Sequence, residues 1–139
     1  MKTTQLLLIT FLSLAISSCA SSKQDKLYDI TWELEYITGP RIAFDGLYPD
    51  KKPKISFNKD TKKVSGNNSC NGYTADFTIE EDAISFGEPG PSTLMYCGEG
   101  EQVFLNIMEK INTYSFSEDG KLNLLMDDVV MMRFHKVTD

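Results

Sequence analysis

Histidine is almost missing: His135 is the only one in 139 residues, four residues from the end. It alternates with Phe134, so if Phe134 points into a core, His135 points outward beside Arg133. A general base, or a metal set built from two cysteines and one histidine, is therefore hard to assemble. The acids do not fill the gap. Glu80-Glu81-Asp82 and Asp127-Asp128 fall in turn-like sequence, where carboxylates are solvated rather than paired across a cleft. Gly87, Gly90, Gly98 and Gly100 follow no phosphate-loop spacing, which needs fixed glycines and a Lys-Ser/Thr pair after a strand. No enzyme activity, metal or cofactor is expected. Basic runs are lacking too: the nearest is Lys51, Lys52 and Lys54, broken by Pro53, in a chain of net charge −6. An acidic surface repels phosphate backbones, which argues against nucleic acid as a partner. No apolar run reaches the roughly twenty residues a helix needs to cross a bilayer, and no internal repeat is visible.

What is present begins with an address. Leu6 to Ile16 is an apolar run of eleven residues behind Lys2, the pattern of a secretory leader. It ends in Ile16-Ser17-Ser18-Cys19, which resembles the lipobox of bacterial lipoproteins: an aliphatic residue, two small ones, then cysteine. Residues 1–18 are read as the signal peptide, with Cys19 as the lipidation site. An ordinary cleaved leader with an incidental cysteine is the alternative. Residues 19–27 form a lipidated tether, small and polar from Ala20 to Lys26, and residues 28–139 form one domain with one core. The expected location is the bacterial cell envelope, with the protein bound to membrane through Cys19. Ala20 is not the aspartate linked to inner-membrane retention in enteric bacteria, which points to the outer membrane.

Cysteine parity adds a second argument. Of three cysteines the lipid takes Cys19, leaving Cys70 and Cys97 as a candidate disulfide in a compartment that permits one. Two buried free thiols are the alternative.

Alternation dominates the domain. Trp32, Leu34 and Tyr36 share a face, as do Ile55 and Phe57, and Tyr73, Ala75, Phe77 and Ile79. Ile84 and Phe86, Tyr114 and Phe116, Leu122 to Met126, and Val130 to Phe134 continue the pattern, which is that of half-buried strands. Turn-forming residues separate these runs, so consecutive strands pair antiparallel in a meander. Residues 99–111 break the period: Val103, Phe104, Ile107, Met108 and Ile111 lie at helical spacing, on a helix expected to pack against the sheet. Seven or eight short strands and one helix suggest a small, closed or nearly closed antiparallel β-barrel, since closure removes exposed edges.

Val64-Ser65-Gly66-Asn67-Asn68-Ser69-Cys70-Asn71-Gly72-Tyr73 resembles one signature of the META domain family of HslJ-like heat-shock lipoproteins. Thr93-Leu94-Met95-Tyr96-Cys97 resembles the other, a Thr-x-Met-x-Cys pattern. Trp32-x-Leu34, Glu101-x-x-Phe104-Leu105 and Leu122-x-Leu124 fall in the family's order. The resemblance spans roughly residues 28–135. It implies a mainly β, lipocalin-like antiparallel barrel with one packed helix, and an association with envelope stress but with no defined reaction. Ser69 and Ala75 depart from the family's usual glycines, which bears on any turn there needing positive φ.

The favoured role is a non-catalytic binding or interaction module supporting envelope integrity or stress tolerance, as a monomer, with an unknown envelope protein or small ligand as partner. A small-molecule carrier holding its ligand inside the barrel is the alternative. The long connection between the Trp32 strand and the Ile55 strand, residues 39–53, offers one candidate surface, because Arg41, Phe44 and Tyr48 are residue types enriched at binding hot spots. The competing reading is that its apolar residues cap the barrel end.

Overall fold

The structure is a computed structural model that describes residues 23–138. The leader, Cys19 and residues 20–22 lie outside the described residues, so the lipidation expectation is not addressed by it. Eight strands follow the alternation: β1 (Thr31–Ile37), β2 (Lys54–Asn58), β3 (Lys63–Asn67), β4 (Gly72–Glu80), β5 (Ala83–Phe86), β6 (Thr113–Phe116), β7 (Leu122–Met126) and β8 (Val129–Lys136). Two helices interrupt them, α1 (Phe44–Leu47) between β1 and β2 and α2 (Gly100–Met108) between β5 and β6. Neighbours pair antiparallel in chain order, and β8 returns to β1, so the sheet closes into a barrel.

The inward rows fill the interior. Trp32, Leu34, Ile55, Val64, Phe77, Tyr114, Leu124, Met132 and Phe134 are all buried, and Phe57 meets Phe77 edge to face at 5.2 Å. The joint between β5 and β6 is the thinnest, with Ala83↔Thr113 as its one registered pair. Helix α2 lies in the connection between those two strands. Its Phe104 sits 5.7 Å from the Tyr73 ring, and the Tyr73 hydroxyl donates to Met108 Sδ at 3.7 Å. Burial pushes the ionisation of that hydroxyl far up.

Three details differ from the sequence reading. The helix stops at Met108, and a tighter turn, with Lys110 N bonded to Ile107 O and Ile111 N to Met108 O, carries the stripe on to buried Ile111. Strand β3 lies among residues read as a motif, because Val64 alone supplies its large inward side chain. The fold also begins earlier than residue 28. Leu27 is fully buried and its carbonyl accepts from Trp32 Nε1 at 3.2 Å. Residues 23–25 form a helical turn, with Lys23 paired to Asp82 and Asp25 to Lys59. Much of the expected tether is therefore docked on the barrel.

Candidate functional site: three interlocked loops

The barrel has two unlike ends. One carries the docked N-terminal segment and the hairpins β2–β3 and β4–β5, as the pairings of Asp25 with Lys59 and Lys23 with Asp82 show. At the other end three connections meet: residues 38–53, 68–71 and 87–99. They are joined by side chains rather than by regular structure.

Asn71 is the central joint. Its Oδ1 accepts from Thr93 Oγ1 and from the Met95 amide, both at 3.0 Å. Its Nδ2 donates to the Met95 carbonyl and to Glu101 Oε2, both at 2.8 Å. Asn68 Nδ2 donates to the other Glu101 oxygen at 3.1 Å. The first turn of α2 is thus gripped by two buried amides from the β3–β4 loop. Cys70 and Cys97 lie at disulfide distance beside this network, with Cα atoms 5.7 Å apart. Asn67 Nδ2 reaches the third loop, donating to Lys52 O at 2.9 Å. Buried polar groups of this kind are stable only when their partners are in place.

The long 39–53 loop closes the same end. Tyr48 is 2 % exposed, and its hydroxyl donates to Gly100 O at 3.0 Å. Burial raises the ionisation of that hydroxyl strongly. A Cβ at Gly100 would stand 2.5 Å from Leu47 O and 2.6 Å from Tyr48 Cε1, so glycine is what lets α2 start against this loop. The expectation of a contact surface at Arg41, Phe44 and Tyr48 is corrected at Tyr48, which faces inward and caps the barrel. Phe44 is half-buried against the Tyr48 ring at 5.3 Å. Arg41 remains exposed, next to exposed Ile42.

Exposed apolar side chains gather elsewhere at this end. Leu94 is 97 % exposed, Met95 61 % and Tyr96 92 %. They form a tip whose backbone Asn71 holds at Thr93 and Met95 and which Cys97 ties down after Tyr96. A shallow groove of about 470 Å³ on the outer face of β3 and β4, lined partly by Ser65, Thr74 and Ser92, leads to Thr93. It lies outside the barrel, not in its interior. The sequence reading named these residues as motif positions without seeing that the tip is displayed. Three large apolar residues inside a Pro, Gly and Ser-rich stretch were the available signal.

The remaining polar features belong to the outer wall. His135 stands between Glu33 and Glu35, at 3.8 and 3.6 Å, and those carboxylates also pair with Lys54 and Lys121 at 3.2 and 2.9 Å. Among the described residues no three His, Cys, Asp or Glu side chains converge as a metal set.

The META domain family model matches residues 25–138. The chain belongs to the META domain family. A solved structure, described as the NMR structure of the protein from Burkholderia xenovorans, is similar at a TM-score of 0.60 and 21 % identity, covering 83 % of this chain and 86 % of that one. At that identity the likeness concerns the fold. No curated protein matches the chain. Both motifs of this META domain converge at the loop end, the first supplying Asn68, Cys70 and Asn71, the second Thr93, Met95 and Cys97. Ser69 does not adopt positive φ, so the turn tolerates its side chain.

Proposed function

We propose that this META domain is a non-catalytic interaction module, held on the outer membrane of a bacterial envelope by lipid on Cys19, whose loop end binds a partner in support of envelope integrity under stress. One observation carries the reading: the docked N-terminal segment and the displayed apolar tip occupy opposite ends of one rigid barrel. A lipid on Cys19 would leave three residues, Ala20 to Ser22, before Lys23, and the steps from Cys19 to Lys23 reach at most about 14 Å. The loop end would then stand clear of the membrane. The carrier alternative has less support, because large side chains from every strand occupy the interior.

Complementation of a strain lacking the gene tests it, with survival of envelope stress and fractionation as readouts. The full chain should restore survival from the membrane fraction. Cys19→Ser should lose both the lipid and lipoprotein-type cleavage, give no mature-length product in the membrane fraction, and fail. Leu94→Ser with Tyr96→Ser should stay on the membrane and fail, with Tm within about 3 °C of the parent because neither side chain is buried. Full rescue by soluble Cys19→Ser protein would overturn the anchored-module reading.

A further inference from the structure

We propose that the Leu94-Met95-Tyr96 tip is a hook that inserts into an apolar pocket, rimmed by Lys or Arg, on another envelope protein. The inference rests on the loop end being the binding end. Six large apolar residues are notably exposed among the described residues, and three of them are consecutive at this tip. Exposed apolar side chains cost little when scattered, but a contiguous set marks a contact surface. This set is also held still. Asn71 binds both backbone groups of Met95, and the Cys70–Cys97 pair closes the loop behind Tyr96. A preformed tip loses little entropy on docking, and tyrosine is a frequent interface anchor.

The anchoring bilayer is the wrong occupant. Strand β4 alone has nine residues, about 30 Å along the strand, between the loop end and the hairpin that Lys23 pairs with. A second copy of this chain is also the wrong occupant. A two-fold contact would set one convex tip against another and give neither a pocket to enter. Charge then narrows the partner. From Gly87 to Gln102 the chain carries Glu88, Glu99 and Glu101 and no lysine or arginine. Glu101 is held by the two asparagines, while Glu88 and Glu99 are exposed, six residues before Leu94 and three after Tyr96 in the chain. Such flanks repel phosphate-bearing surfaces and favour a basic rim.

Site-specific photo-crosslinking in the native host tests this, using the full lipidated chain with benzoylphenylalanine at position 94, at position 96, or at Glu81 on the tether-end hairpin as control. Positions 94 and 96 should give an adduct with one protein, mapped by mass spectrometry to a segment with apolar residues flanked by Lys or Arg. Position 81 should not give that adduct. Leu94→Ser with Met95→Ser should lower the position-96 yield at least about fivefold, as loss of a hot spot does. Glu88→Lys with Glu99→Lys should lower it as well. A lipid or glycan adduct at the tip would remove the proposed partner while leaving loop-end binding intact. An adduct with a second copy of the chain would do the same. Adducts at position 81 alone would remove both readings. A probe recovered photolysed at 94 and 96 without adduct, or a higher yield after the charge reversal, would overturn the hook.

Discussion

Asn71 spends its whole side chain on joining loops: two acceptors and two donors meet across 22 to 30 residues of sequence. Its replacement leaves more than one group unpaired at once. Asn71→Ala is expected to destabilise the domain by about 2–3 kcal/mol, because the Met95 amide and Glu101 lose their partners in a half-buried place. Hydrogen exchange at Met95 should rise more than at the strand amides. Asn71→Asp sets a carboxylate beside Glu101 in place of a donor, so it should cost more than Asn71→Ala near neutral pH and recover part of the loss in acid. Equal stability of all three proteins in urea would show that the clamp carries no weight. Both sides of this joint stand in the sequence as motif residues. Which residue bonds which is not legible there, because nothing local relates position 71 to 95 or 101. The same limit affected Tyr48. Its type suits an exposed anchor and a buried cap equally, and only the approach of Gly100 decides between them. The pairing of Cys70 with Cys97 was open to sequence reasoning because the expected lipid on Cys19 would leave these two as the one candidate pair.

Strands with two or more large inward residues were readable as elements, since the period of two is local. Strand β3 was not, for its inward row offers Val64 and then Gly66. Its identity comes instead from β2 lying so close that a Cβ at Gly66 would stand 1.8 Å from Lys54 O. The helix was legible by its stripe, but not its end, because the same stripe continues through a tighter turn to Ile111. At this scale the Cys70–Cys97 pair matters most, set at disulfide distance between the β3–β4 loop and the approach of α2 across 27 residues. Chain entropy assigns a loop of that length about 3.5 kcal/mol as an upper figure. Cys70→Ala with Cys97→Ala should therefore unfold at lower denaturant while its far-ultraviolet circular dichroism stays that of a β-barrel. Loss of amide protection should concentrate in residues 93–99. Two reactive thiols at these positions in unfolded, non-reduced wild-type protein would disprove the bridge.

Across the molecule, among the described residues, closure gives every strand a neighbour on both sides, and four tyrosines sit where their hydroxyls ionise late. Burial is the first cause for Tyr28, Tyr48, Tyr73 and Tyr114, the last pushed up to about 12. An unfolded tyrosine ionises near pH 10. Above that pH the unfolded chain loses protons that the folded one keeps, so stability falls as pH rises. Stability that is present below about pH 10 should decline by up to roughly 1.4 kcal/mol per pH unit for each such tyrosine. Urea midpoints at pH 8 and pH 11 check it, and Tyr73→Phe should flatten the slope. A midpoint unchanged over that range would contradict the buried ring assignments. Closure and the filled interior were readable from the alternation, whereas the separation of docked segment and displayed tip onto opposite ends was not, since it depends on strand direction and stagger. That separation gives the molecule an optical handle. Trp32 is the one tryptophan, fully buried, and its indole N–H is spent on the carbonyl of Leu27. Its emission is therefore a local gauge of whether the N-terminal segment is seated, and movements of the loop end pass it by.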